Sequence, residues 1–292
     1  MKKIGFIGLG SMGLPMAKRL CLSDYKVQSA VNRDKQPAEE LKKCGGIIKD
    51  SFVEVVRDAD IILSILPGDQ ELEQLLLDEQ ILANIQPNAI LIEMTSCSPS
   101  TMQKLNAIYS ERGIAVFDAP VSGGTKGAED GTLTIMGGGS EDVLGEIRPI
   151  LVEMANNIVL VGDVGAGKAI KAINQMLLSV HMVAASEAFV LGEKLGLDPD
   201  ILYQVITTSS GNSTAFKNKF KNIINDKYEL GFRLSLMKKD MKIAINEGNG
   251  VPLPLLNTSY QLYEMLSDQY QNVDFSVVNK LLRKDDTNGS RS

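Results

Sequence analysis

The residues best equipped for chemistry lie between Gly165 and Gln175 (GAGKAIKAINQ), where a glycine-rich turn runs into one long helix ending near residue 196. A period of about 3.6 residues puts Gly167, Lys171, Asn174, Gln175 and Leu178 on one face. An ammonium beside two amides can hold a polar substrate and hand it a proton. The competing reading is a lysine that lays its stem along a buried helix and snorkels its head to water. Further along, the helix becomes almost wholly apolar or small, from Met176 through Leu191, which predicts burial on nearly every side.

Two other glycine-rich turns suit the binding of anions. Residues 3–8 (KIGFIG) read as a buried strand, followed by Gly8-Leu9-Gly10-Ser11-Met12-Gly13 and a helix to about Leu22. In that setting GxGxxG is a dinucleotide site. Gly8 makes the tight turn, Gly10 lets the backbone with Ser11 approach a pyrophosphate, and Gly13 lets helix and strand pack closely, leaving the phosphates at the helix N-terminus. The second turn follows the strand at Ala115-Val116-Phe117-Asp118 and contains Ser122-Gly123-Gly124. A hydroxyl and several unhindered N–H groups form a concavity suited to a carboxylate, or else a plain glycine turn.

Where an NAD site places an Asp or Glu for the ribose 2′-hydroxyl, about 20 residues past the glycines, this chain has Asn32 and Arg33. That favours a 2′-phosphate and hence NADP; NAD stays open if Asp34 takes the hydroxyl. The apolar strands Asp60–Leu66 and Ala89–Met94 end in Pro67 and Thr95. Strand ends in a doubly wound sheet open onto the ligand crevice, so Leu66, Pro67 and Thr95 are positioned to touch the cofactor, or serve only as turn residues.

The elements that must carry these residues alternate between strand and helix as far as Val161-Gly162, after which strand signals stop and helices follow. The expected fold is α/β, a Rossmann-type doubly wound sheet followed by an all-helical domain. The domains are expected at 1–162 (dinucleotide binding) and 163–284 (substrate and dimerisation), with 285–292 a disordered tail. A length of 292 residues suits two domains. A net charge of −6 without a sustained basic run argues against nucleic acid or an anionic membrane as partner. No apolar run reaches the roughly 20 residues of a membrane span. Three cysteines at irregular spacing point to a reducing cytoplasm. His181 is the sole histidine, which leaves little for a metal site or a Ser-His-Asp triad, and it is expected to be a hydrogen-bonded core residue.

Four separated segments together, GFIGLGSMGLPMAKRL (5–20), DAPVSGGTKGAEDGTL (118–133), GAGKAIKAINQ (165–175) and KKDMKIA (238–244), resemble the beta-hydroxyacid dehydrogenases. This is the group containing 3-hydroxyisobutyrate dehydrogenase and tartronate semialdehyde reductase. The resemblance implies that Lys171 is the catalytic lysine and that Ser122, Gly123 and Gly124 hold the substrate carboxylate. It also implies that Asn174 lines the substrate site and that Met12, Thr95 and Lys239 contact the cofactor. Many members have two consecutive asparagines where this chain has Asn174-Gln175; Gln175 is closer to the tartronate semialdehyde reductase branch. KDM at 239–241 replaces the more usual KDL.

The expected function is hydride transfer between NADP, or NAD, and a small carboxylate-bearing semialdehyde or hydroxyacid by a homodimer or homotetramer. An imine reductase resembles the pattern with an Asp or Tyr at the lysine position, so Lys171 counts against that alternative. A second alternative, a cofactor-binding sensor without turnover, conflicts with the presence of both Lys171 and Ser122.

Overall fold

A computed structural model describes residues 2–32 and 34–283; Arg33 and the expected tail at 285–292 lie outside the described residues. The chain forms two compact units, Met1–Lys171 and Ala172–Ser292.

The first unit begins β1 (Lys3–Ile7), α1 (Gly13–Leu22), β2 (Lys26–Ala30), α2 (Gln36–Lys43), β3 (Ile47–Lys49), α3 (Phe52–Arg57) and β4 (Ile61–Ser64). It continues with α4 (Asp69–Leu76), α5 (Glu79–Asn84), β5 (Ile90–Glu93), α6 (Pro99–Ser110) and β6 (Ala115–Asp118). The parallel strands lie in the order β3-β2-β1-β4-β5-β6, the doubly wound arrangement expected from the sequence. β4 shows why the strands are apolar throughout. Successive side chains alternate faces, so Ile61 and Leu63 enter a core with Met16 and Leu20 of α1, while Ile62 joins Leu72, Met102 and Tyr109 on the opposite face.

Beyond β6 the unit departs from a purely parallel plan. β7 (Val121–Ser122), α7 (Gly124–Asp130), β8 (Leu133–Gly138), α8 (Glu141–Leu151) and β9 (Ala155–Gly162) follow. β8 pairs antiparallel with both β6 and β7 and parallel with β9. Two short helices, α5 and α7, were not anticipated by the sequence pattern. The first has a legible signal, because Asp78 caps it by accepting from the N–H groups of Gln80 and Ile81. The second hides inside a glycine-rich stretch.

α9 (Ala166–Lys194) runs from the first unit into the second. The second unit continues with α10 (Pro199–Thr207), α11 (Thr214–Ile224), α12 (Leu234–Glu247), α13 (Pro254–Glu264), two 3₁₀ turns and α14 (Asn279–Leu282). Phe189, Phe216, Phe220, Met237, Met241 and Phe275 form its core, with the Phe216 and Phe220 rings stacked 4.2 Å apart.

α9 differs from the pattern-based expectation in three respects. Instead of burial on nearly every side, Ile173, Leu177, Ala184 and Leu191 lie exposed along one stripe. His181 is exposed with them and is not a core residue. The helix is also long and apolar enough, by length and composition, to cross a bilayer, although its opposite side packs Met182, Val183 and Phe189 into the unit's core. Apolar residues recur at helical spacing on two faces, and composition alone does not tell a core face from a face awaiting a partner.

Candidate active site

The dinucleotide loop is shaped by contacts with the neighbouring strand end. Gly8 has φ +101°, and a Cβ there would come within 2.1 Å of the Ile65 carbonyl oxygen. Gly13 opens α1 against Gly8 itself, where a Cβ would meet the Gly8 carbonyl oxygen at 1.9 Å. Gly10 is different. A Cβ at that position would meet nothing within 4 Å, so its bareness serves no packing of the chain with itself. No side chain caps the start of α1, and its first turn carries no acidic residue. The start of α1, uncapped by any side chain and positive by the helix dipole, adjoins the exposed Gly10 and Ser11, which fits a dinucleotide pyrophosphate. Met12, half-buried, is the residue immediately before α1.

This loop sits where the strand order reverses between β1 and β4, and the ends of β4 and β5 adjoin it. Pro67 is exposed and Leu66 half-buried, whereas Thr95 is wholly buried. The Thr95 hydroxyl oxygen accepts from the Leu66 N–H at 2.8 Å, tying the two strand ends together. On the ribose side Asn32 is exposed. Asp34 accepts from the Gln36 N–H at 2.9 Å, so one of its oxygens is already engaged at the start of α2.

Ser122 ends β7 opposite Thr134 and is half-buried. Gly123 and Gly124 follow with φ +135° and +66°, both in the region that favours glycine. Lys171 lies six residues into α9 and is only 9% exposed. Little of it reaches solvent, unlike a lysine that merely snorkels. In the second unit Gln175 donates to Asp240 Oδ2 at 2.8 Å and accepts from Asn174 at 3.0 Å, while Lys239 Nζ lies 3.1 Å from Asp240 Oδ1.

Three buried charged residues were not singled out by sequence reasoning. Asp118, at the end of β6, accepts from the backbone N–H groups of Gly165 (2.8 Å) and Lys168 (3.0 Å) and so caps α9. Lys168 reaches Glu93 at the end of β5, with Nζ 2.6 Å from Oε2 and both side chains fully buried. Burial alone would lower the Lys168 pKa, but Glu93, Cys97 and Asp118 outweigh it and hold the ammonium above the ordinary lysine value. Burial pushes the Asp118 carboxyl up, against the pull of Lys168 and the two backbone donors. A signal was present in the strands themselves. ILIE and AVFD each close a buried apolar run with a carboxylate, which demands a partner. Among the described residues, no group of three or more His, Cys, Asp or Glu is arranged to hold a metal ion.

Two family models match successive parts of the chain. The family model described as the NAD binding domain of 6-phosphogluconate dehydrogenase matches residues 3–162. The model described as NAD-binding of NADP-dependent 3-hydroxyisobutyrate dehydrogenase matches residues 165–282. The chain is 38% identical to an NAD-dependent L-serine dehydrogenase of Pseudomonas aeruginosa, over 96% of this chain and 98% of that one. It is also 38% identical to the 2-(hydroxymethyl)glutarate dehydrogenase of Eubacterium barkeri, over 90% and 88% respectively. Among solved structures, the 3-hydroxyisobutyrate dehydrogenase of Mycobacterium tuberculosis with L-serine matches with a TM-score of 0.89 at 34% identity, covering 97% of this chain and 100% of that one.

Proposed function

Since the chain belongs to the beta-hydroxyacid dehydrogenase family and is an NAD(P)-dependent oxidoreductase of small hydroxyacids, we propose that Lys171 is its catalytic lysine. We further propose that its substrate carries a primary alcohol, or the matching aldehyde, on the carbon next to that bearing a carboxylate. The substrates in the relatives' names, L-serine, 2-(hydroxymethyl)glutarate and 3-hydroxyisobutyrate, share that core and differ only in the third substituent. Tartronate semialdehyde has it too.

When bound, the nicotinamide dinucleotide takes up or delivers the hydride. Gly8, Gly10, Ser11, Met12 and Gly13 would hold its pyrophosphate, Asn32 and Arg33 its ribose end, and Leu66, Pro67 and Lys239 the rest. The wholly buried Thr95 acts through its hydrogen bond to Leu66 and not by the direct contact expected from the sequence. In reduction, the Lys171 ammonium polarises the carbonyl oxygen and gives it a proton as the alkoxide forms. In oxidation, the neutral amine removes the hydroxyl proton. This transfer is worth about 10²- to 10⁴-fold in rate. Ser122, through its hydroxyl, and Gly123 and Gly124, through their N–H groups, orient the carboxylate. Asn174 and Gln175 contribute amides from the same face of α9 as Lys171.

The observation that carries the reading is a buried lysine one turn beyond the capped end of α9, on the face that also bears two amides. Lys171→Ala tests it: turnover should fall by about 10²-fold or more while cofactor affinity stays near wild type. Activity within about threefold of wild type would reject the assignment.

The domain division is proposed at 1–162 and 163–284, and NADP is proposed as the preferred cofactor because of Asn32 and Arg33. The exposed stripe of Ile173, Leu177 and Leu191, with Ile201 and Val205 of α10, supports a homo-oligomer. The enzyme is proposed to work in the cytoplasm without nucleic acid or a membrane as partner.

A further inference from the structure

We propose that the buried Lys168–Glu93 pair is a positioning device that sets Lys171 in register with the strand ends at Leu66 and Thr95. The proposal rests on Lys171 being the proton donor, and it makes Lys168 a residue that acts through Lys171 without touching substrate.

Lys168 is the third residue of α9 and Glu93 the last of β5. The ammonium has three donors, and the structure gives each an oxygen. These are Glu93 Oε2 at 2.6 Å, the Glu93 carbonyl at 2.8 Å and the Thr95 carbonyl at 2.8 Å. The second carboxylate oxygen of Glu93 accepts from the Thr95 N–H at 2.9 Å and from Ser64 Oγ at 3.4 Å. Thr95 in turn holds Leu66 through its hydroxyl. One ammonium thus ties together the ends of β4 and β5 and the first turn of α9. Asp118 grips the same turn from β6 through its backbone.

Stability does not account for such a pair. Removing two charges from water costs about as much as their attraction returns, and apolar replacements of similar volume are often neutral or stabilising. What an apolar pair lacks is direction: three hydrogen bonds from one nitrogen fix its position in a way that dispersion contacts do not. Along a helix, residue 171 lies one turn from residue 168, on the order of 4.5 Å up the axis. Fixing Lys168 therefore fixes the base from which Lys171 extends. Proton transfer is sensitive to that placement, since a displacement of about 1 Å can cost roughly 10²-fold in rate.

The test uses Glu93→Gln, which keeps the shape and most acceptors, and the double variant Lys168→Met/Glu93→Leu, which removes both charges and fills the space. Lys171→Ala runs beside them. Thermal unfolding, cofactor affinity, kcat, KM and the primary isotope effect with 4-deuterated reduced nicotinamide are measured for each. The expected result is a folded double variant with cofactor affinity near wild type and a lowered melting temperature, because the Thr95 N–H and the Glu93 and Thr95 carbonyls lose their partners. Its kcat should be lower by about 10²-fold, its KM changed little, and its isotope effect raised because chemistry becomes slower than product release. Glu93→Gln should fold and fall in between. If either folded variant keeps kcat within threefold while Lys171→Ala is inactive, the pair is structural only and the positioning role is overturned. If Lys171→Ala is itself active, the reading of Lys171 fails and takes the positioning role with it. If the double variant does not fold, Glu93→Gln decides by the same criteria.

Discussion

Gln175 donates a 2.8 Å hydrogen bond to the carboxylate of Asp240, and both residues are buried at 2% exposure. An asparagine at position 175 would be shorter by one methylene and could not span the same gap from the same backbone. The longer amide links Asn174 on α9 to the Lys239–Asp240 pair on α12.

Gln175→Glu should expose what that contact contributes. Two buried carboxylates in contact cannot both ionise, so the introduced carboxyl would titrate above its unfolded value near 4.3. A group whose folded pKa is raised keeps its stability below the unfolded pKa and loses it as pH rises through the folded one. The variant should therefore nearly match wild type at pH 4 to 5 and fall behind by about 3 kcal/mol at pH 8. Urea unfolding at both pH values checks this; a deficit independent of pH would point to packing alone.

Arg33→Ala addresses the choice of cofactor. A guanidinium can hold a 2′-phosphate by two charged hydrogen bonds worth roughly 1.5 to 3 kcal/mol. The substitution should weaken NADPH binding by about tenfold or more and leave NADH almost unchanged. A wild-type enzyme that prefers NADH would transfer the ribose role to Asp34, whose carboxylate the structure already engages with the Gln36 N–H.

Ser122→Ala separates a hydroxyacid enzyme from a general aldehyde reductase. Wild type should reduce a semialdehyde bearing a carboxylate much faster than a neutral aldehyde of equal size. The neutral analogue leaves the donors of this loop unpaired once bound substrate excludes water from them, at about 1 to 3 kcal/mol. The variant should narrow that gap mainly through kcat/KM for the charged substrate. Equal wild-type rates on both would move the chain to another substrate class.

The exposed stripe on α9 makes a prediction about assembly. Leu177→Glu combined with Leu191→Glu puts two charges on a face that carries Leu177 at 47% and Leu191 at 57% exposure. If a second copy covers this stripe, light scattering should find wild type as a dimer or tetramer and the variant shifted to monomer, because burying an unpaired carboxylate is costly. A monomeric wild type would leave the stripe without that role.

The architecture was legible in the sequence because it depends on local patterns. Continuous apolar strands such as Ile61-Ile62-Leu63 announce a parallel sheet covered on both faces. Glycines at 8, 10 and 13 between strand and helix announce a dinucleotide loop, and the end of strand signals near Gly162 announces helices only. Lys171, Ser122 and Asn174 were nameable because the segments around them carry a recognisable pattern.

Only tertiary structure decided which side of α9 is covered, and it sent His181, Leu177 and Leu191 outward. It also decided that Glu93, Lys168 and Asp118 meet, across sequence separations of 75 and 50 residues. A helical period assigns residues to faces but does not say what each face meets. A lone carboxylate at a strand end shows that a partner is needed without showing which cation supplies it. The partner is determined by which strand ends lie side by side in the sheet, and that neighbourhood exists only once the chain has folded.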